Sequence, residues 1–315
     1  MKRRIFIAVV VFFLIVIPVR ADTIRWVDFS VPYESLKYAM DRDIETFSKE
    51  MHISWIDVLA TAACRTGGKC GLASVKKAYA DLSDGTLPSE RLGNLYQHYG
   101  YYHDAYQAAL GGLLGSYAIK IDGEWKPCYG LKAFSPIAAG YGYSHCSDFG
   151  AARSFGFRRK HLGNDLMGTQ GTPIAAVEGG IVEALGWNRY GGWRVGIRSF
   201  DSKRYYYYAH LQKDTPFAPG LAIGDTVQPG EVIGFMGRTG YSDKENVNNI
   251  EAVHLHFGME LVFDESQKEC SNEIWIDVYN IVRLLSEHRV SVVKTEKGYS
   301  RLYPFCDLDI PQLQK

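Results

Sequence analysis

The chain is predicted to be an α+β protein, with an N-terminal helical region followed by an antiparallel β-sheet domain. Three observations carry that expectation. Apolar residues between about 30 and 114 recur mostly at helical spacing. From Pro173 onward, short runs of β-formers are punctuated by glycine turns. Within Val253-His254-Leu255-His256-Phe257-Gly258-Met259-Glu260-Leu261 the apolar residues alternate strictly, the period-two mark of a half-buried strand.

Ser30-Val31-Pro32-Tyr33-Glu34 reads as a helix start, with the proline close to the first turn. Ile44, Phe47, Met51, Ile56, Leu59 and Ala60 extend a helical repeat that Gly67-Gly68 stops. A second helix is predicted over 72–82, ending at Asp84-Gly85. A third begins near Pro88-Ser89-Glu90 and runs through Leu92, Leu95, Tyr96 and Tyr99. Residues 102–114 continue as an Ala/Leu-rich helix. No catalytic constellation falls in this region; Glu45 and Glu50 read as a solvated helix face. Residues 130–150 form a Gly/Tyr/Ser-rich connector. Strands are predicted at 174–177, 181–185, 193–199, 204–211, 225–227, 232–236 and 253–261, with Gly179-Gly180 and Pro229-Gly230 at turns. Residues 274–285 return as a helix or mixed segment, and the remainder reads as an extension without clear pattern. The predicted organisation is 1–21, a targeting segment; 22–150, a helical region and connector; 151–265, the β domain; and 266–315, a C-terminal extension.

At 315 residues, 46% of them hydrophobic, the chain holds one or two domains with real cores. Lys+Arg and Asp+Glu each number 35, and the absence of a basic excess argues against a nucleic-acid partner. Lys2, Arg3 and Arg4 precede an apolar run to Val19, and Val19-Arg20-Ala21 suits cleavage before Asp22. The run is shorter than the ~20 residues of a spanning helix. A cleaved signal peptide is therefore expected, with an uncleaved membrane anchor as the alternative, and either places the rest outside the cytosol. Six cysteines (Cys64, Cys70, Cys128, Cys146, Cys270, Cys306) are compatible with disulfides in an exported chain. Nearest-neighbour pairing would join Cys64 to Cys70 and Cys128 to Cys146; free buried thiols are the alternative.

On the 253–261 strand, His254 and His256 share the face opposite Val253, Leu255, Phe257, Met259 and Leu261, so both imidazoles reach one metal ion or one reacting group. His161 and Asp165 bracket a turn feeding a strand, since Gly163, Gly168, Gly171 and Pro173 oppose a helix there. In Tyr205-Tyr206-Tyr207-Tyr208-Ala209-His210-Leu211, alternation puts Tyr206, Tyr208 and His210 on one face. Catalytic zinc sites typically take three nitrogen or oxygen ligands and leave a position for water. His161, Asp165 and one histidine of the pair make such a set. The other histidine of the pair and His210 then remain for proton transfer and oxyanion stabilisation.

These motifs resemble those of the M23 (lysostaphin/LytM-type) zinc metallopeptidases over about residues 153–262. The resemblance is carried by Ser154-Phe155-Gly156-Phe157-Arg158, His161-x-x-x-Asp165, Gly171-Thr172-Pro173-Ile174, Tyr190-Gly191-Gly192, Tyr208-Ala209-His210-Leu211, Gly224-Asp225-Thr226-Val227-Gln228-Pro229-Gly230 and His254-Leu255-His256-Phe257. It implies one zinc ion held by His161, Asp165 and His256, with His210 and His254 as catalytic histidines whose roles are interchangeable at this stage. It further implies an M23-type peptidase domain acting on the peptides of bacterial peptidoglycan in the cell envelope or outside the cell. The alternative is a catalytically silent envelope scaffold or activator that keeps the fold, and a protein partner for the helical region is left open. Some relatives are latent, and on that analogy His145, Cys146 or Asp148 are candidates for a fourth ligand. One departure stands out: Thr239-Gly240 is followed by a long polar segment, 241–253, where the family usually has a short turn. This loop is expected to hang beside the metal and reshape the cleft.

Overall fold

The computed structural model describes residues 24–268, 272–296 and 298–310; the expected targeting segment at 1–21 and Cys270 lie outside the described residues. Pro32 stands immediately before α1 (Tyr33–Thr46), its carbonyl accepting the Ser35 and Leu36 N–H groups. The single repeat expected through Ala60 is in fact two helices. α1 ends at Thr46, and α2 (Trp55–Thr66) starts afresh with Ser54 as its cap. Polar side chains at the end of α1 fix the break. Thr46 Oγ1 accepts the Ile53 N–H at 3.0 Å, and Asp43 accepts the Trp55 N–H at 2.8 Å, so donors at the start of α2 are satisfied across the turn. Phe47 and Met51 are left exposed. Gly67 closes α2 in the left-handed region (φ 61°), as its position predicts.

α3 (Leu72–Ser83) matches the second expected helix. The third is a 3₁₀ turn at Ser89–Arg91 and the short α4 (Leu92–Leu95); Tyr96 is extended, and α5 (Tyr99–Leu110) begins separately. The helix predicted to Leu114 stops at Leu110, because β1 (Leu114–Ile121) and β2 (Glu124–Leu131) form a hairpin there. Asp122 and Gly123 both take positive φ, 53° and 86°, the conformation an Asp-Gly turn favours.

The chain then runs through β3 (Ser144–His145), β4 (Ala152–Arg153), β5 (Arg159–Lys160), β6 (Asn164–Met167) and β7 (Pro173–Ala175). The long strands follow: β8 (Gly180–Asn188), β9 (Gly192–Ser199) and β10 (Arg204–Ala209), then the short β11 (Thr226–Val227) and β12 (Val232–Phe235), and β13 (His254–Leu261). β14 (Ile274–Ile276), α6 (Tyr279–Leu285), β15 (Val292–Thr295), β16 (Gly298–Arg301) and β17 (Phe305–Asp307) complete the described elements. All seven strands predicted between 174 and 261 are present, with shifted ends. The main sheet has eight strands in the order β11-β8-β9-β10-β13-β6-β3, with β14 also pairing β13, and every pairing is antiparallel.

β13 is not the half-buried strand its alternation suggests. All eight of its residues are buried, since β10, β6 and β14 flank it and loops cover the histidine face. The C-terminal extension is built into the structure as well: β17 pairs with β1, and Lys132 Nζ binds Asp307 at 2.9 Å and Asp309 at 2.8 Å. One hydrophobic cluster runs from Val27 to Leu285, so the helices and the sheet share a core. A buried polar network crosses the same junction. Arg204, 1% exposed, donates from Nε and Nη2 to the Glu178 carboxylate at 2.7 and 3.0 Å and from Nη1 to the Ala108 carbonyl at 2.7 Å. The Tyr206 hydroxyl donates to the same carboxylate at 2.7 Å. Neither expected disulfide forms; Cys64, Cys70, Cys128, Cys146 and Cys306 are free thiols. Burial pushes the Cys70 thiol up to about 11, and its sulfur lies 3.3 Å from the Tyr106 hydroxyl.

Candidate metal centre

Three neighbouring strands assemble the site. Register places His256 on β13 directly between Asp165 on β6 and Ala209 on β10. Side chains opposite one another across an antiparallel pair start about 4.5–5.5 Å apart, so Asp165 and His256 meet by pairing alone. His161 arrives from the loop before β6, and that loop packs tightly on the His256 ring. A Cβ at Gly163 would lie 2.8 Å from His256 Cε1 and 2.5 Å from the Phe257 carbonyl oxygen, so only glycine fits. His161 Nε2 is 2.7 Å from His256 Nδ1 and 3.0 Å from Asp165 Oδ1, and His256 Nδ1 is 3.3 Å from that oxygen.

Outer contacts orient these side chains. His161 Nδ1 lies 3.1 Å from the Asp148 carbonyl oxygen and 3.2 Å from Asp148 Oδ2, so its N–H is donated there and Nε2 keeps a lone pair towards Asp165. Asp148 Oδ1 also accepts the Asp165 N–H at 3.2 Å. Arg153 Nη2 donates to Asp148 Oδ2 at 2.7 Å and to Asp165 Oδ2 at 3.1 Å. Asp148 therefore sits behind His161 and supports it instead of joining the cluster as a fourth ligand. His145 is also elsewhere, its ring against Tyr279. Burial works to raise the Asp165 pKa, but the contacts with the His161 and His256 imidazoles outweigh it and hold the carboxyl well below the usual range. Burial pushes the His256 imidazole down, favouring the neutral form that coordinates metals.

His254 and His210 occupy the same pocket. His254 Nδ1 donates to the Ala252 carbonyl at 2.9 Å, and its Nε2 lies 3.7 Å from Asp165 Oδ1. His210 Nδ1 donates to the Thr239 carbonyl at 2.9 Å, and its ring centroid is 4.7 Å from that of His254. Burial, reinforced by the neighbouring histidines, holds the His210 pKa well below its usual value. Both histidines thus present Nε2 to the pocket.

His210 does not reach the site by strand alternation. It sits at φ 62°, just past the end of β10, with its N–H on the Gly191 carbonyl at 2.7 Å. That turn of the backbone moves it to the Tyr207 side of the sheet. Tyr206 and Tyr208, expected to share its face, are instead fully buried against Phe257. Tyr207 is the tyrosine that lines the pocket, its ring centroid 5.8 Å from that of His256 and its hydroxyl accepting from Asn188 at 3.0 Å. The cavity, about 370 Å³, is walled by Tyr190, Tyr241, Arg159 and Ile250. Tyr241 and Ile250 come from the long loop, which therefore does shape the cleft; Asn246 pins it by accepting from Trp193 Nε1 at 2.9 Å. Sequence reasoning missed the working contacts of Asp148 and Arg153 and the place of Tyr207. The positive φ of His210 is held by the Gly237 N–H from 27 residues further on and has no local sequence signal.

Two imidazole nitrogens and a carboxylate oxygen 2.7–3.3 Å apart repel one another unless a proton or cation lies among them. Among the described residues, His161, Asp165 and His256 form the group able to hold a metal ion, and nitrogen–oxygen donors of this kind suit zinc.

The Peptidase family M23 profile matches residues 159–269. The L-Ala--D-Glu endopeptidase of Bacillus subtilis (strain 168) is 43% identical over 124 residues, which cover 39% of this chain and 36% of that protein. Lysostaphin of Staphylococcus simulans is 36% identical over 98 residues, covering 31% of this chain and 17% of its own length. The chain thus spans well under half the length of either relative. The crystal structure of a Ruminococcus gnavus ATCC 29149 protein assigned as a glycyl-glycine endopeptidase, lytM, superposes with a TM-score of 0.54 at 21% identity, covering 85% of this chain and 92% of the other, a likeness of fold. The strand pairing that joins Asp165 to His256 lies within the segment that the Peptidase family M23 model matches, residues 159–269.

Proposed function

We propose that the protein is a zinc-dependent endopeptidase that hydrolyses peptide bonds in the stem or cross-link peptides of bacterial peptidoglycan. The observation that carries this reading is the convergence of the His161, Asp165 and His256 donor atoms beside two histidines that both turn Nε2 to the same cavity. A zinc ion held by those three residues supplies Lewis acidity, polarising a carbonyl and acidifying water towards pKa ~7. The protein's own groups do the rest. His254, anchored on Ala252, accepts a proton at Nε2 from the attacking water. His210, anchored on Thr239, uses Nε2 to stabilise the developing oxyanion or to pass a proton to the leaving amine. Asp148 and Arg153 hold His161 and Asp165 in place. Arg153, Arg159 and Lys160 make the cavity rim cationic, which favours an acidic peptide.

The names of the relatives support peptidoglycan as the substrate: one is an L-Ala--D-Glu endopeptidase, and another of Staphylococcus capitis is a glycyl-glycine endopeptidase. The reading requires export, which the composition of residues 1–21 supports. Among the described residues, no helix is long and apolar enough to cross a membrane. Purified protein is incubated with cell-wall sacculi, with and without a chelator, and the released peptides are identified by mass spectrometry. Release that stops with chelator and returns with zinc is expected; no release by zinc-loaded protein would sink the reading.

A further inference from the structure

The sheet face that carries His256 does not end there. His256, Gly258 and Glu260 are successive same-face positions of β13. Gly258 keeps the middle position low, since a Cβ there would lie 2.7 Å from the Leu162 carbonyl oxygen and 2.9 Å from the Trp275 ring. Glu260 stands about 13 Å along the strand from His256, at ~3.3 Å per residue. Its register partners are Tyr205 on β10 and Trp275 on β14, and Tyr205 is paired in turn with Arg198 on β9. The Arg198 guanidinium lies over the Tyr205 ring, 4.7 Å from its centroid, and its Nε donates to Glu183 at 2.8 Å. A cavity of about 410 Å³ covers this row and shares Leu162, Tyr207 and His256 with the metal centre.

Three side chains lining this second cavity hold a buried polar atom without a hydrogen-bond partner among the described residues: Glu260, Arg198 and, at Nε, the half-buried Arg194. Glu260 is 4% exposed, and its Oε1 has no partner among the described residues. Arg198 is 9% exposed, and its Nη1 has none. Buried charged groups left in that state are costly, and each points to something that completes it. The lining holds three acidic residues (Glu183, Glu260, Glu273) and three basic ones (Arg194, Arg198, Lys268), so its formal charges cancel. A simple anion or a simple cation would unbalance it. A group with both a donor and an acceptor would not.

We propose that this cavity is a subsite for a free amino-acid head group, an ammonium and a carboxylate on one carbon, borne on a side chain of the peptide under cleavage. The ammonium donates to Glu260 Oε1, and the carboxylate accepts from Arg198 Nη1. The assignment rests on the peptidase reading above and narrows its substrate: a side chain ending in an amine alone satisfies Glu260 and leaves Arg198 Nη1 without a partner.

The test uses two stem peptides that differ in one residue, a 2,6-diaminopimelyl residue in one and lysine in the other. With zinc-loaded full-length protein, kcat/KM is expected to favour the diaminopimelyl peptide by about tenfold or more, because a site built to bind a polar group rejects the analogue lacking it. In Glu260→Gln, and independently in the charge-retaining Arg198→Lys, that preference should fall to roughly threefold or less. Calorimetric titration of the chelator-treated protein with the same peptides gives a readout free of turnover, in which the parent should bind the diaminopimelyl peptide more tightly and both variants should lose the difference. Equal cleavage of both peptides by the parent, or an unchanged preference in both variants, overturns the subsite and leaves the peptidase standing. Cleavage of neither peptide defeats the peptidase reading on these substrates, and the titration then decides the subsite alone.

Discussion

Asp148 is the residue through which the proposed metal centre is most open to a decisive perturbation, because it touches both ends of the candidate ligand set without belonging to it. Its carbonyl and Oδ2 take the His161 Nδ1–H, its Oδ1 takes the Asp165 N–H, and its Oδ2 shares Arg153 Nη2 with Asp165 Oδ2. Asp148→Asn keeps the shape and the backbone carbonyl while removing one negative charge. Arg153 then has a single carboxylate to serve, and it competes with the metal for Asp165. A hydrogen bond to a charged group contributes about 1.5–3 kcal/mol. Transferring even half of one such bond onto Asp165 costs metal affinity about 0.8–1.5 kcal/mol, roughly four- to twelvefold. Loss of support at His161 adds to this, and outer-shell changes of this kind typically cost 10–100-fold. Zinc affinity of Asp148→Asn, measured by competition with a chromophoric chelator, is therefore expected to fall by about 10–100-fold. In an Arg153→Gln background the same substitution should cost less, since the competitor is gone. Affinity of the single variant within about threefold of the parent would refute Asp148 as the organiser of the ligand set. An undiminished loss in the double variant would refute the competition by Arg153.

The other expected outcomes concern the ligands, the core and one buried carboxyl. His161→Ala, Asp165→Ala and His256→Ala should each lose bound zinc by elemental analysis, whereas His210→Ala and His254→Ala should retain it and lose about 10²–10⁴-fold in turnover; stoichiometric zinc in His256→Ala would overturn the division of roles. Glu178→Gln leaves Arg204 buried with only the half-exposed Asp201 as counter-ion, so urea unfolding should show a loss of about 3 kcal/mol, and a loss below about 1 kcal/mol would show the pair to be dispensable. Burial, opposed mainly by Arg198, raises the Glu260 pKa to about 7. Its proton is bound more tightly in the folded chain than in the unfolded one, so this contribution is fully present below the unfolded value of about 4.5 and is lost as pH rises through about 7. Glu260→Gln should remove that loss, making the variant the more stable chain at pH 8 by about 2–3 kcal/mol; identical pH profiles of stability for parent and variant would contradict it.

What the sequence made legible follows from which interactions are local. Helix ends at Pro32, Gly67 and Asp84-Gly85 were readable because a cap or a positive φ is a property of the residue itself. The strands between 174 and 261 were readable because alternation and turn residues repeat within each hairpin. The break between α1 and α2 was not, since it depends on Asp43 and Thr46 reaching across to N–H groups at positions 53 and 55. The β1–β2 hairpin was missed although Asp122-Gly123 marks its turn, because the apolar spacing of α5 runs without interruption into Leu113 and Leu114. The role of the last residues was invisible for another reason: β17 is only Phe305–Asp307, and its partner β1 lies nearly two hundred residues earlier.

The site divides along the same line, and His210 shows why. Residue types and spacing were enough to nominate His161, Asp165, His256, His254 and His210 as candidates, which the structure brings to one cavity, since the chemistry of metal and proton transfer limits which side chains qualify. The faces on which they act were a different matter. Period-two alternation holds only while φ stays in the β region, and at His210 φ is 62°. Strict alternation there groups His210 with Tyr206 and Tyr208, which belong to the core, and separates it from Tyr207, which lines the cavity. A non-glycine residue held in the left-handed region carries about 1–3 kcal/mol of strain, and here the bonds from His210 N–H to Gly191 and from Gly237 N–H to His210 hold it there. The strained turn is therefore the feature that carries a histidine from the end of a core-facing strand to the side of the sheet that holds His161, Asp165 and His256. The same limit applies to Asp148, Arg153 and Glu260. Each is an ordinary charged residue in the sequence, and each acquires its role only from partners that the pairing of β6, β9, β10, β13 and β14 brings beside it.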